Sequence, residues 1–113
     1  MLKITNFTKQ PFQTCKLPLE TRESVDFKLY FSPTQLSWYF DFSYQDVTCN
    51  GNKLVLGVNI LRAFKNIIPF GLAVEADQGI EPFKLDDFST GRVSVYLLNQ
   101  EDVELIEEEV FGD

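Results

Sequence analysis

Few residues of this chain are of a type that does chemistry, and the commonest general base near neutral pH, histidine, is missing. The two cysteines, Cys15 and Cys49, stand far apart in the sequence. A nucleophilic thiol needs a base or a cation beside it, yet Cys15 lies in a strand-like run between Thr14 and Lys16. The sequence therefore predicts no catalytic residue and a protein that is not an enzyme.

The two cysteines also limit metal binding and disulfide formation. A structural zinc site takes four Cys or His ligands and the chain offers two, so we expect no zinc and no other cofactor. The sequence allows one disulfide, between Cys15 and Cys49. A reducing compartment favours two free, buried thiols, and we take that interpretation.

Neighbouring carboxylates occur at Asp86-Asp87 and at Glu107-Glu108-Glu109. Such pairs can serve glycosidases or hold metal ions. An aspartate in a loop, however, more commonly caps a turn through bonds to the backbone, and a run of glutamates is usually a solvated face. We interpret both groups as structural and assign no metal-binding residue.

Aromatic residues are the remaining candidates for a binding role. Trp38 and the four tyrosines could stack on bases or sugars. Trp38 falls in the middle of an alternating run, which predicts a core position. Tyr39 is out of phase with it and is the better candidate for an exposed aromatic anchor in a protein contact.

Length and charge narrow the class of protein. The 113 residues fit one domain, and 17 acidic against 10 basic residues give a net charge of −7, so we expect no specific nucleic-acid binding. No apolar run approaches the roughly 18 residues that cross a bilayer, and the first 12 residues do not resemble a signal peptide. Intracellular synthesis is the expectation.

Alternation of apolar and polar residues predicts an all-β fold. Two alternating runs, 25–31 and 36–44, flank Ser32-Pro33-Thr34 and predict an antiparallel hairpin. We expect further strands at 12–17, 53–61, 71–76 and 92–98, a turn at Asn50-Gly51 and one helical turn over 62–66. Six strands predict a small antiparallel sandwich or barrel. The predicted core comprises Phe27, Leu29, Trp38, Phe40, Phe42, Val93 and Val95.

Three segments follow from these patterns. Residues 1–11 form an N-terminal arm or edge strand outside the core, residues 12–98 the β domain, and residues 99–113 an acidic C-terminal tail. The tail holds seven acidic residues. A short amphipathic helix over about 101–109 fits it, because Glu101 and Asp102 suit a helix N-terminus.

The order of these motifs resembles the baseplate plug proteins of contractile-tailed phages, a family first described in a cyanophage. The resemblance is clearest at the Trp38–Phe42 strand, where a hairpin ends in a Trp and an Asp-containing strand follows. It continues through a turn, an apolar strand with a glycine, a short helical segment, a Pro/Gly step, an acidic loop and a last strand. It covers residues 12–98 and leaves both ends uncovered. The later motifs are Asn50-Gly51-Asn52, Leu54–Leu61 with Gly57, Ile68-Pro69-Phe70-Gly71, Asp86-Asp87-Phe88 and Arg92–Tyr96.

The resemblance implies a structural virion component, made in the host cytoplasm, near the central hub and the end of the tail tube. It implies baseplate hub and tail tube proteins as partners, a homo-oligomeric ring, and no catalytic residues. The negative charge would then either repel passing DNA or serve ordinary solubility. The residues alone leave two other functions open. One is a small intracellular ligand-binding or regulatory β domain with Trp38 and Tyr39 in a pocket, and the other is an acidic-loop hydrolase.

Overall fold

Two antiparallel sheets pack around one hydrophobic core in the computed structural model, which describes residues 1–112. One sheet has four strands in the order β2-β3-β4-β5, and the other has three in the order β1-β7-β6. The all-β prediction is confirmed: five of the six expected strands form, β5 lies where no strand was expected, and a two-residue edge strand is added. The strands are β1 Leu2–Lys3, β2 Phe12–Pro18, β3 Ser24–Ser32, β4 Ser37–Tyr44, β5 Val47–Lys53, β6 Gly71–Ala76 and β7 Val93–Leu98.

The core lies where the alternation predicted it. Each of the seven predicted core residues is at most 3% exposed. In β3 and β4 every second side chain faces inward because successive residues of a strand point to opposite faces. Aromatic rings fill much of this space: Phe27 stacks on Phe40 with ring centroids 5.5 Å apart, and Phe42 meets Phe70 edge-on at 5.7 Å.

The turn expected at Asn50-Gly51 is wrong. The chain reverses at Gln45-Asp46, where Gln45 has φ 50°, and β5 begins at Val47. Asn50-Gly51 lies inside β5, at a register shift between Phe40 and Phe42 of β4. Gly51 has φ 73°, so the left-handed preference of this dipeptide serves a β-bulge instead of a hairpin turn.

The strand expected over residues 53–61 is also wrong. Lys53 ends β5, and beyond it only Gly57 of this segment forms a β-bridge, with Val74 of β6. Leu54 and Leu61 are each 1% exposed. The apolar residues of the segment therefore fill the core without forming a continuous ladder, and its backbone runs along the outer side of β6. A 3₁₀ turn follows at Arg62–Phe64, within the expected helical segment.

The N-terminal segment contributes to the core, contrary to the expectation that it stays outside. β1 is the edge strand that the sequence allowed, paired with β7. Phe7 is 9% exposed and its ring stacks on Phe27 at 5.8 Å. The boundary at residue 11 remains a prediction, but the first residues are packed against the domain.

A helix, α1 (Gln100–Glu109), occupies the segment where a short amphipathic helix was expected. Asn99 caps it, accepting from the N–H of Asp102, whose carboxylate accepts in return from the N–H of Asn99. Val103 is buried against the domain. Asp113, the last residue of the predicted tail, lies outside the described residues. No helix within residues 1–112 is long and apolar enough to cross a membrane.

Candidate protein-interaction surface

One carboxylate of the Asp86-Asp87 pair is held by structural partners. Asp87 is 1% exposed, and its two oxygens accept from Nε and Nη2 of Arg92 at 2.7 and 2.8 Å. Its Oδ2 also accepts from the N–H groups of Phe83 and Lys84 at 2.7 and 2.8 Å. Asp86 is exposed. Asp87 has its carboxylate oxygens fully hydrogen-bonded, and Asp86 is exposed to solvent, so the two do not form an acid–base pair.

Asp87 is ionised in this setting. Burial by itself raises its pKa, but the bonds from Arg92, Lys84 and Phe83 outweigh it, and the pKa lies below its usual value. Arg92 also donates to the carbonyls of Ile80 and Glu81. The ion pair therefore folds the acidic loop onto the domain, and the bonds that Asp87 accepts from backbone N–H groups are of the turn-capping kind.

The remaining chemical candidates are likewise engaged or isolated. Glu107 binds Arg62 at 2.8 Å and Lys65 at 2.5 Å, whereas Glu108 and Glu109 are exposed. No group of three potential metal ligands occurs within the described part of the chain. Residues 1–112 therefore bring together no cluster of potential metal ligands.

Cys15 and Cys49 are free thiols, as expected, though each is only half-buried. Cys15 pairs with Phe27, Phe27 with Phe42, and Phe42 with Cys49, so one row crosses all four strands. Three strand spacings put the two cysteines about 14 Å apart, about twice the longest Cα separation that a disulfide spans. An internal disulfide is excluded by this geometry.

Trp38 is fully buried, and its indole N–H donates to the carbonyl of Lys84 at 3.0 Å. Phe88 packs against its ring with centroids 5.0 Å apart. Trp38 therefore joins the acidic loop to the sheet from inside the core. The alternative function that placed Trp38 in a ligand pocket has no support in this geometry.

Tyr39 belongs to an aromatic row on the outer face of the four-stranded sheet. The pairing register places Phe12, Tyr30, Tyr39 and Lys53 side by side on β2, β3, β4 and β5. Phe12 is 61% exposed, and the Tyr30 and Tyr39 rings stack with centroids 6.1 Å apart. We call these three rings the aromatic row. Sequence reasoning found Tyr39 but missed its neighbours, because cross-strand register is not visible in one strand.

Hydrogen bonds fix the orientation of the two tyrosine rings of the row. Tyr30 donates its hydroxyl to Asp41 at 2.9 Å, and the N–H of Gly51 donates to the same oxygen at 2.7 Å. Burial and this bond to Asp41 raise the pKa of Tyr30. The hydroxyl of Tyr39 donates to the side chain of Gln35. The two tyrosine rings are thus pre-organised, which suits contact with a rigid partner surface.

The family of the chain is decided by a comparison with protein-family models. Residues 1–101 match the family described as cyanophage baseplate Pam3 plug gp18. The chain belongs to this family of baseplate plugs. No curated protein matches the chain.

Membership supports a structural role in a phage baseplate, a location in the virion tail and contacts with other baseplate proteins. It confirms the resemblance stated from the sequence motifs and extends it over the first 11 residues. A structural family also favours a protein without catalytic activity. The match stops at Glu101, so most of α1 lies beyond the matched segment.

Proposed function

We propose that this protein is a plug near the central hub and the end of the tail tube, acting by contacts with hub and tube proteins. Copies are arranged as a homo-oligomeric ring, and the protein binds no specific nucleic acid. The observation that carries this proposal is the family match over residues 1–101.

The aromatic row gives the proposal a surface. Large rings dominate protein interfaces because they bury much area at little cost in side-chain entropy. Phe12, Tyr30 and Tyr39 lie side by side on a sheet face that is otherwise mostly polar, with Lys28, Asp26 and Ser43 among its residues. We place the hub or tube contact on this row.

The experiment compares Tyr39→Ala with Ser43→Ala, a control on the same strand and the same outer face. Binding of purified protein to isolated hub and tube proteins is measured for both variants. Tyr39→Ala is expected to weaken binding at least tenfold, whereas Ser43→Ala leaves it within twofold, since central aromatic residues contribute about 2 kcal/mol or more. Equal binding by both variants would remove the row from the interface.

The location in the particle is tested separately. Virions are imaged by cryo-electron microscopy with and without a small tag after Gly112. Extra density beside the hub at the end of the tube is expected. Tag density elsewhere in the particle, or particles that contain no copy of the chain, would contradict the plug assignment.

A further inference from the structure

Within the described residues, two long strand edges are left open, and both belong to the four-stranded sheet. In the other sheet, Gly57 exchanges backbone bonds with Val74 at 2.9 and 3.1 Å, and Ile60 donates to Leu72 at 2.8 Å, so the edge of β6 is covered. Its other edge, β1, is two residues long. β2 and β5 end the four-stranded sheet on opposite sides. An open edge presents unpaired N–H and C=O groups and accepts another strand.

One hydrogen bond shows which residues of β2 direct their backbone N–H and C=O groups toward the open edge. The N–H of Phe31 donates to the carbonyl of Pro11 at 2.8 Å, which marks a bonded pair. Bonded pairs recur at every second residue of an antiparallel ladder. Cys15 therefore bonds to β3, and the backbone groups of Thr14 and Lys16 point outward from the sheet.

The hairpin between β4 and β5 shows which residues of β5 direct their backbone groups toward the open edge. Tyr44 and Val47 flank a two-residue turn, and the residues that flank such a turn form a bonded pair. By the same alternation Cys49 bonds to β4. The backbone groups of Thr48 and Asn50 point outward.

We propose that the β2 edge of one copy pairs with the β5 edge of the next, with Cys15 of one opposite Cys49 of the other. This inference rests on the proposed ring. The four strands alternate in direction, so β5 of one copy runs antiparallel to β2 of the following one and the sheet continues across the contact. A contact between two different edges repeats from copy to copy, and it gives a ring when its rotation closes. A two-fold pairing of β2 with β2 cannot repeat around the axis of a polar tail.

The edges fit each other in this register. Thr48 of one copy forms a bonded pair with Lys16 of the next, and Asn50 with Thr14, so no like charges stand opposite. The bulge at Gly51 bends β5 and confines regular pairing to residues 47–50. The contact is therefore short, and it forms where the assembly holds copies close together.

The two cysteines report on this contact, although their backbone groups form no hydrogen bond across it. In the proposed register Cys15 and Cys49 make a non-bonded antiparallel pair, with Cα atoms about 4.5 Å apart, within the range of a disulfide. Within one copy they are about 14 Å apart. A cross-link between them can therefore form only between copies.

The test is oxidation of concentrated purified protein, and of particles, with copper phenanthroline in air. Each cross-link removes two protons and two electrons from the two thiols, and oxygen takes them up. Each copy carries both cysteines, so a ladder of dimers, trimers and larger species is expected on a non-reducing gel. Cys15→Ser or Cys49→Ser alone abolishes the ladder, and an equimolar mixture of the two variants gives dimers only.

Two results would overturn the inference: no cross-link in either sample, or a dimer that survives in Cys49→Ser, which indicates a β2–β2 contact. Thr14→Pro provides a second test, because it removes one outward N–H without touching the bonds to β3. It is expected to lower the cross-link yield at least tenfold while the melting temperature of the monomer changes little. If imaging places the chain in the baseplate but no ladder forms, the edge contact fails and the proposed function stands. If a ladder forms but virions contain no copy of the chain, the proposed function fails and the edge contact stands.

Discussion

At the scale of the residue, Asp87 holds the acidic loop by four short hydrogen bonds, two of them from Arg92. Asp87→Ala leaves the guanidinium and two backbone N–H groups without their acceptor. We expect the free energy of unfolding to fall by roughly 3 kcal/mol, the range for breaking a buried ion pair. Asp86→Ala, at the exposed neighbour, is the control and is expected to change it by less than about 0.5 kcal/mol. Urea unfolding of both variants measures the difference; equal effects would mean that the ion pair does not stabilise the loop.

The same residue predicts a pH dependence. The pKa of Asp87 is lower in the folded than in the unfolded chain, where an aspartate titrates near 3.9. Its contribution to stability is therefore complete above about pH 4 and is lost as the pH falls through the folded-state value. The gap in unfolding free energy between the parent and Asp87→Asn is expected to be constant from pH 7 to 5 and to narrow below pH 4. A gap that stays constant down to pH 2.5 would contradict this.

Trp38 gives the largest expected effect of a single core substitution. Trp38→Ala removes a fully buried ring and its bond to Lys84, which should lower the free energy of unfolding by about 3–5 kcal/mol. Leu105→Ala, on the exposed face of α1 at 56% exposure, is the control and is expected to cost less than about 0.5 kcal/mol. Thermal melts of the two variants that shift by the same amount would be evidence against Trp38 as a core residue.

At the scale of the element, the bulge in β5 depends on Gly51. Its φ of 73° is left-handed, and an added Cβ would meet no atom within 4 Å. The cost of Gly51→Val is therefore conformational, about 1–2 kcal/mol, and Gly51→Asn should cost less because asparagine tolerates this region. Chemical denaturation of both variants gives the ranking. Equal losses for Val and Asn would indicate that backbone conformation is not the cause.

The packing of the N-terminal element determines the effect of removing it. An arm outside the core could be removed without harm to the fold. Leu2 and Lys3 instead pair with Leu97 and Tyr96, and Phe7 stacks on Phe27. Loss of residues 1–11 would therefore destabilise the domain itself, so the edge contact is better tested by point substitutions in β2.

At the scale of the whole molecule, the net charge of −7 raises the question of whether the acidic tail lines the path of DNA. On α1, Glu101, Glu104 and Glu108 are exposed. Glu107 instead forms ion pairs with Arg62 and Lys65. A wall of like charge would repel the phosphate backbone, and a basic wall would retain DNA by releasing its counterions.

The test of this question is the triple variant Glu101→Lys, Glu104→Lys, Glu108→Lys. If α1 faces the lumen, particles assemble normally and DNA ejection slows severalfold at low salt, with recovery as salt rises. The control is the double variant Asp46→Lys, Asp86→Lys, at two residues exposed elsewhere on the molecule. It should leave DNA ejection unchanged. Equal ejection by both sets would assign the charge to solubility, and failed assembly of the first set alone would assign α1 to docking.

The sequence by itself determined the all-β fold, the seven core positions and the family, because each depends on local pattern. Strict alternation puts Phe27, Trp38 and Val95 on inward faces whatever the strands pair with. The absence of histidine and the scarcity of cysteine likewise removed most catalytic chemistry before any geometry was known.

Only the tertiary structure decided which residues meet. Asn50-Gly51 prefers left-handed backbone equally in a hairpin turn and in a bulge, and the choice depends on where β4 ends its pairing. The aromatic row depends on the register of four strands, since a shift of one residue would turn Tyr39 inward. The bond between Asp87 and Arg92 and the open edges of β2 and β5 arise from packing between distant segments, which short-range pattern does not encode.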